Sequence, residues 1–170
     1  MKPRLRKLAL TAHITASVGW IGADAAFLAL AIAGLTSQNV QTVRGAYLAM
    51  QLIAWFVIVP LSFAALMTGL VQALGTSWGL FRHYWILTKF FIAIFATVVL
   101  LIHTQPIALV ASAAEKTTLA AADLHGARVQ LVVAAATGIF VLLVALTLAV
   151  YKPRGLTRYG WRKQQELRNR

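Results

Sequence analysis

Ionisable side chains stand inside long apolar stretches of this chain, where such a group is costly and usually has a function. The first stretch carries four polar or aromatic residues at helical spacing: His13, Ser17, Trp20 and Asp24. This spacing places all of them on one face of a helix. His103 lies within another apolar stretch, whereas His83 and His125 lie near the ends of such stretches. Imidazole and carboxylate groups bind haem iron, copper or zinc and transfer protons.

Long apolar segments must position these residues. Of the 170 residues, 60% are hydrophobic and 12% are charged, which is about half the charged fraction of a soluble protein. Four segments are long enough to cross a bilayer as helices: residues 8–35, 46–74, 84–110 and 127–151. The sequence therefore predicts an all-α fold, a four-helix transmembrane bundle over residues 1–151 followed by a basic tail over residues 152–170.

The positive charge follows the predicted topology. The net charge is +12, from 16 Lys and Arg against 4 Asp and Glu. Most of these cations lie in the N-terminus or the tail, or flank the second loop as Arg82 and Lys89 do, and only Arg44, Lys116 and Arg128 lie on the other side. Because cytoplasmic segments collect Lys and Arg, we expect a multi-pass protein of the cytoplasmic membrane with both termini in the cytoplasm. Topology explains the charge, so nucleic acid is not expected as a partner, whereas anionic lipid headgroups should attract the tail.

Two local signals concern the shape of the helices. Pro60 lies within the second span and predicts a kink, because proline removes a backbone donor. The third loop contains Ser112-Ala113-Ala114-Glu115, a capping-box pattern that predicts the start of the last helix outside the bilayer.

Counting about 1.5 Å of rise per residue sorts the polar residues into two groups by depth. The inner group contains His13, His83, Lys89 and Gln72. The outer group contains Asp24, His103, His125, Arg128 and Gln51. We therefore expect two polar neighbourhoods, one in each half of the bilayer.

Histidines on facing helices predict a b-type haem, in which each imidazole supplies one axial nitrogen. The candidate residues are the pairs His103 with His125 and His13 with His83, with Lys89, Arg82 or Arg128 as partners of the propionates. As an alternative, His83 and His125 are interfacial residues that bond to headgroups or water.

A copper or zinc site is a second interpretation, with Asp24, His103 and His125 as ligands from three helices. Asp24 could instead form an ion pair with Arg128, or remain neutral because it is removed from water. Asp24 and His103 could also relay protons. The sequence contains no cysteine, which excludes thiolate sites, and no catalytic motif, so an enzymatic activity stays uncertain.

Three segments, His13–Gly22, Gly79–Trp85 and Val150–Thr157, resemble a family of small bacterial integral membrane proteins that is common in actinobacteria. The resemblance covers nearly the whole chain and brings no assigned activity. The chain is also distantly similar to the copper-resistance CopD-like membrane proteins, whose first helix has a comparable pattern of His, small residues and Trp. This second resemblance implies a metal or haem role for the segments that contain His13, Trp20 and His83.

Together these observations predict a membrane protein that binds haem b or a metal ion within its bundle, for electron transfer, sensing, or metal or haem handling. The runner-up is a cofactor-free scaffold that associates with itself as a homo-oligomer or with a larger membrane complex through faces of small residues. A transporter of a small solute is the third possibility.

Overall fold

The computed structural model describes residues 2–75, 80–116, 124–153 and 155–169, and nearly all of these residues are helical. In chain order the helices are α1 (Pro3–Thr36), α2 (Val40–Ile53), a π-helical turn (Ala54–Ile58), α3 (Val59–Gly75), α4 (Tyr84–Glu115), α5 (His125–Tyr151) and α6 (Arg158–Arg168). Four continuous helical stretches are long and apolar enough to cross a membrane: Pro3–Thr36, Val40–Gly75, Tyr84–Glu115 and His125–Tyr151. The predicted all-α fold with four apolar spans is confirmed.

The spans form an antiparallel bundle in which α1 and α4 are diagonal partners. Helix α1 packs against α2, α3 and α5, and α4 packs against the same three helices. The core between them holds large side chains from several helices, including Trp20, Phe27, Tyr47, Met50 and Leu131. Each span is longer than predicted, because the apolar stretch marks only the part of a helix that matches the hydrocarbon, and the helix continues beyond it.

The start of α1, the end of α3, residues 80–83 of the α3–α4 loop and the segment after α5 lie at one end of the bundle, which we call the terminal end. The Gln72 side-chain amide at the end of α3 donates a hydrogen bond to the Ala9 carbonyl near the start of α1 (3.0 Å). After α5, the Thr157 backbone N–H donates to the Arg82 carbonyl just before α4 (3.0 Å). These contacts join three segments of the chain at the same level.

The predicted kink at Pro60 takes the form of a π-helical turn. Within Ala54–Ile58 the helix widens, and the Val59 N–H donates to the Ala54 carbonyl five residues earlier. Pro60 has no N–H and its ring crowds the preceding turn, so a wider turn just before it relieves the clash. The turn also places Ala54 and Ile58 in the core, where they are 0% and 1% exposed.

The predicted capping box at Ser112–Glu115 is wrong. These residues form the last turn of α4, and the Ser112 hydroxyl donates back to the Leu109 carbonyl (2.9 Å). A serine inside a helix can bond to the preceding turn as readily as it caps a new helix. The remainder of the predicted pattern, including Asp123, lies outside the described residues.

Close contact between α1 and α2 depends on a glycine. A Cβ atom added at Gly34 would lie 2.7 Å from the Tyr47 ring, so only glycine leaves space for this buried tyrosine. The Gly34 carbonyl accepts a hydrogen bond from the Arg128 guanidinium, whose Nε donates to the Tyr47 hydroxyl (2.8 Å). This cluster therefore connects α1, α2 and α5.

We predict that Gly34→Ala lowers the free energy of unfolding by about 1–3 kcal/mol, because the added methyl group overpacks the contact with Tyr47. Gly22→Ala on the same helix is the matched control, since nothing lies within 4 Å of a Cβ added there. The control should be neutral or stabilising by up to about 1 kcal/mol. Thermal unfolding in detergent, followed by circular dichroism, measures both, and equal midpoints would contradict the prediction.

Candidate functional site

A half-open cavity of about 320 Å³ lies between α1, α4 and α5. Most of its wall is apolar, with Phe27, Ile58 and Leu131 among the lining residues. The polar groups on the wall are Asp24 from α1, His103 from α4, and Gln130 and Thr137 from α5, together with the indole of Trp20. The cavity therefore has the composition of a ligand site, which is an apolar pocket with a few polar groups.

Asp24 occupies the cavity wall opposite α5. Its carboxylate lies against Gly138, where an added Cβ would be 3.4 Å from Oδ2. The side chain is half-buried, and no residue of the described parts of the chain donates a hydrogen bond or forms an ion pair with it. Asp24 thus brings an unpaired carboxyl group to the cavity.

His103 has one nitrogen committed to its own helix. Nδ1 lies 2.8 Å from the Val99 carbonyl oxygen. A carbonyl can only accept, so Nδ1 carries the proton and Nε2 presents a lone pair. No residue in the described ranges bonds to Nε2. A backbone carbonyl that fixes Nδ1–H in this way is the usual support of an imidazole whose Nε2 binds a metal or a ligand.

The other three members of the predicted outer group, His125, Arg128 and Gln51, do not line this cavity. His125 is the first residue of α5 and is exposed. The Arg128 guanidinium bonds to Tyr47 and Gly34, and it lies 5.5 Å from the centre of the Tyr47 ring. Gly34 lies roughly 15 Å along α1 from Asp24. The alternative prediction of an ion pair between Asp24 and Arg128 is therefore wrong, because the Arg128 guanidinium bonds to α1 about three helical turns away from Asp24.

The predicted inner group divides into separate local contacts. His13 Nδ1 lies 3.1 Å from both the Ala65 carbonyl and the Thr68 hydroxyl oxygen, and its ring packs over Gly69. The Thr68 hydroxyl itself donates to Ala64 (2.5 Å), so the proton between His13 and Thr68 is on the imidazole. His13 thereby links α1 to α3 by hydrogen bonds.

His83 and Lys89 contribute elsewhere at the terminal end. His83 immediately precedes α4 and pairs with Leu156 in an isolated β-bridge, and its ring centre lies 6.4 Å from that of Trp85. Lys89 is half-buried in the second turn of α4. Neither residue lines the cavity.

The structure thus places Asp24 and His103 in the lining of the same cavity, and His125 outside it. Among the residues that the structure describes, no group of three or more His, Asp or Glu side chains could hold a metal ion. The predicted set of Asp24, His103 and His125 for copper or zinc receives no support from this geometry.

The polar residues that α5 contributes to the cavity are not among the predicted site residues. Gln130 and Thr137 are separated by seven residues and therefore share one helix face. Ala134 and Gly138 lie between and beside them on the cavity wall. A stripe of polar and small residues on an otherwise apolar helix was the signal that could have identified this face.

No protein-family model, curated protein or solved structure matches the chain.

We predict that His13→Ala lowers the free energy of unfolding by about 1–2 kcal/mol, because it removes an interhelical hydrogen bond and the packing over Gly69. Thr11→Ala is the control, since the Thr11 hydroxyl bonds only to Lys7 of its own helix (3.1 Å). The control should change stability by less than about 0.5 kcal/mol. Thermal unfolding of both variants tests this, and an unchanged midpoint for His13→Ala would show that His13 does not fasten α1 to α3.

Proposed function

We propose that this protein binds a small, largely apolar ligand within the membrane, in the cavity lined by His103 and Asp24. The observation that carries the proposal is the His103 imidazole, whose Nδ1 is bonded to Val99 while Nε2 remains as an acceptor on an apolar cavity wall. Asp24 supplies a second polar group on that wall. The two together can orient the polar end of a ligand whose body contacts apolar side chains.

The ligand would enter from the bilayer between α4 and α5. Phe95 of α4 and Val133 of α5 both line the cavity, yet they are 65% and 58% exposed on the outside of the bundle. Because this outside surface is apolar, it would face lipid chains, and a ligand dissolved in the bilayer could reach the cavity sideways. This route favours an apolar ligand over a water-soluble ion.

Haem b belongs to this ligand class and is the leading candidate. His103 Nε2 would bind the haem iron, since Nδ1–H is held by the Val99 carbonyl and Nε2 is available. A second histidine does not line the cavity, so the bis-histidine form with His125 is not favoured. Bound haem would supply one-electron chemistry or binding of a diatomic gas. The apolar wall would limit access of water to it.

We further propose that the protein lies in the cytoplasmic membrane with its termini in the cytoplasm. The support is the distribution of charge, because most of the cations belong to the terminal end and only Arg44, Lys116 and Arg128 lie elsewhere. The contacts of Gln72 and Thr157 support the grouping of these segments at one end.

The haem proposal predicts a Soret band in protein purified after expression with a haem precursor, with a shift on reduction by dithionite. His103→Ala should remove most of the bound haem, because it deletes the axial nitrogen. His125→Ala and His83→Ala should retain it, since neither residue lines the cavity. The measurement is the absorbance spectrum per mole of protein.

Two phenylalanine variants on α5 control for the cavity itself. Ala134→Phe should reduce haem occupancy because it fills the cavity, whereas Ala136→Phe, at an exposed position outside the lining, should not. Colourless wild-type protein without stoichiometric metal would reject haem and favour the scaffold function. Equal haem in His103→Ala and wild type would reject His103 as the ligand.

Absence of natural cysteine allows a direct test of topology. We predict that a membrane-impermeant thiol reagent labels Gln38→Cys in intact cells, while Gln164→Cys reacts only after permeabilisation. Both positions are exposed and lie at opposite ends of the bundle. The opposite labelling pattern would reverse the proposed orientation.

A further inference from the structure

The basic tail folds into a helix that is attached to the terminal end of the bundle by hydrogen bonds. Thr157 makes two of them: its N–H donates to the Arg82 carbonyl, and its hydroxyl donates to the Phe81 carbonyl. The same hydroxyl accepts from the Gly160 N–H within α6 (3.1 Å). Nearby, the Tyr84 N–H donates to the Gly155 carbonyl (3.3 Å). Thr157 is thus both the N-cap of α6 and a connection to the α3–α4 loop.

One face of α6 is fixed against this loop. Gly160 is buried, and a Cβ atom added there would collide with the Arg82 carbonyl oxygen. This contact sets the rotation of the helix about its axis. The other faces of α6 therefore have a defined orientation relative to the bundle, which an unstructured tail would lack.

The faces of α6 that point away from the bundle are basic and aromatic. Four cations are exposed on the helix, Arg158, Arg162, Lys163 and Arg168, against the single acid Glu166. Two aromatic side chains, Tyr159 and Trp161, are 55% and 57% exposed. On the adjoining segment, Phe81 and Tyr84 are 59% and 56% exposed.

We propose that α6 and the exposed aromatic residues Phe81 and Tyr84 form a binding surface for anionic phospholipid headgroups. We call these residues the headgroup surface. Two observations determine the occupant. The net positive charge of α6 is complementary to anionic phosphates, and α6 begins only a few residues after the last membrane span ends at Tyr151.

The aromatic residues distinguish this surface from a merely charged tail. Tyr and Trp side chains concentrate where headgroups meet hydrocarbon, because they combine an apolar ring with a polar atom. Basic helices with exposed aromatic residues lie in this interface. A helix at this level contacts lipid in the bilayer that holds the bundle, whereas a soluble polyanion would have to reach it from the water.

Lipid binding at this surface also has a structural effect on the bundle. Thr157 bonds to Phe81 and Arg82 just before α4, and it follows the end of α5. Headgroups that hold α6 in place therefore also hold together the terminal ends of α4 and α5. Anionic lipid thereby stabilises α6 itself and also the hydrogen bonds that join Thr157 to the segment just before α4.

The test is hydrogen exchange of the full-length protein in nanodiscs of phosphatidylcholine alone and in an equal mixture with phosphatidylglycerol. We expect the amides of α6 to be more protected in the mixture, with about a fivefold gain for each cation that contacts headgroups. The variant Arg158→Gln with Arg162→Gln and Lys163→Gln should lose this gain, a decrease of up to roughly 100-fold. High salt should weaken the gain in the wild type.

A matched variant removes three cations from the other terminus: Arg4→Gln, Arg6→Gln and Lys7→Gln. It carries the same change in net charge at the same end, and α6 should keep its lipid-dependent protection. Exchange in α4 and α5 reports whether each variant is folded. Equal protection of α6 in both lipids, or full protection in the triple variant of α6, would overturn the proposal. An equal gain when soluble polyphosphate is added to phosphatidylcholine discs would also overturn it, in favour of a soluble polyanion.

Discussion

A polar side chain inside an apolar span must find its partners within the protein, and the arrangement of this bundle depends on that constraint. In hydrocarbon, an unbonded polar group costs several kcal/mol, on the order of the total stability of many domains. Arg128 meets the constraint by bonding to Tyr47 and to the Gly34 carbonyl, and His13 meets it by bonding to α3. Each of these contacts joins different helices, so the polar groups hold the spans in register while the apolar residues fill the space between them.

Asp24 and His103 do not fully meet this constraint, and because both line the cavity they define the candidate site. The Asp24 carboxylate has no partner among the described residues, and His103 uses only one of its two nitrogens. Gly138 leaves space beside Asp24, and the π-helical turn brings Ile58 to the opposite part of the cavity wall. Two polar groups without a full set of partners among the described residues, at a cavity that opens to the outside of the bundle, leave room for a bond to a ligand or to water.

The sequence predicts depth better than direction. Counting residues placed Asp24 and His103 at a common level, and the structure finds both in the lining of one cavity. The same count assigned Arg128 and His125 to that neighbourhood, which the structure does not support. Depth follows from the rise per residue, whereas the direction of a side chain depends on how its helix is rotated against its neighbours. For Arg128 it also depends on a long side chain that reaches a carbonyl of another helix, and no local sequence pattern encodes that contact.

The tail shows the opposite case, a local signal that was present and was not used. Thr157 precedes a run of residues suited to a helix, which is the position of an N-cap, and Gly160 permits the close approach to the α3–α4 loop. The attachment of α6 also concerns the cavity, because α4 and α5 contribute to the cavity lining and also lead to the segments that α6 joins. His103 lies roughly 28 Å along α4 from the start of that helix at the loop, and Gln130 and Thr137 lie on α5, whose end leads to Thr157. The opening of the cavity lies between these same two helices. Whatever holds their terminal ends together therefore restricts how far they can separate at the opening, so the proposed lipid at the tail and the proposed ligand in the cavity would act on one pair of helices.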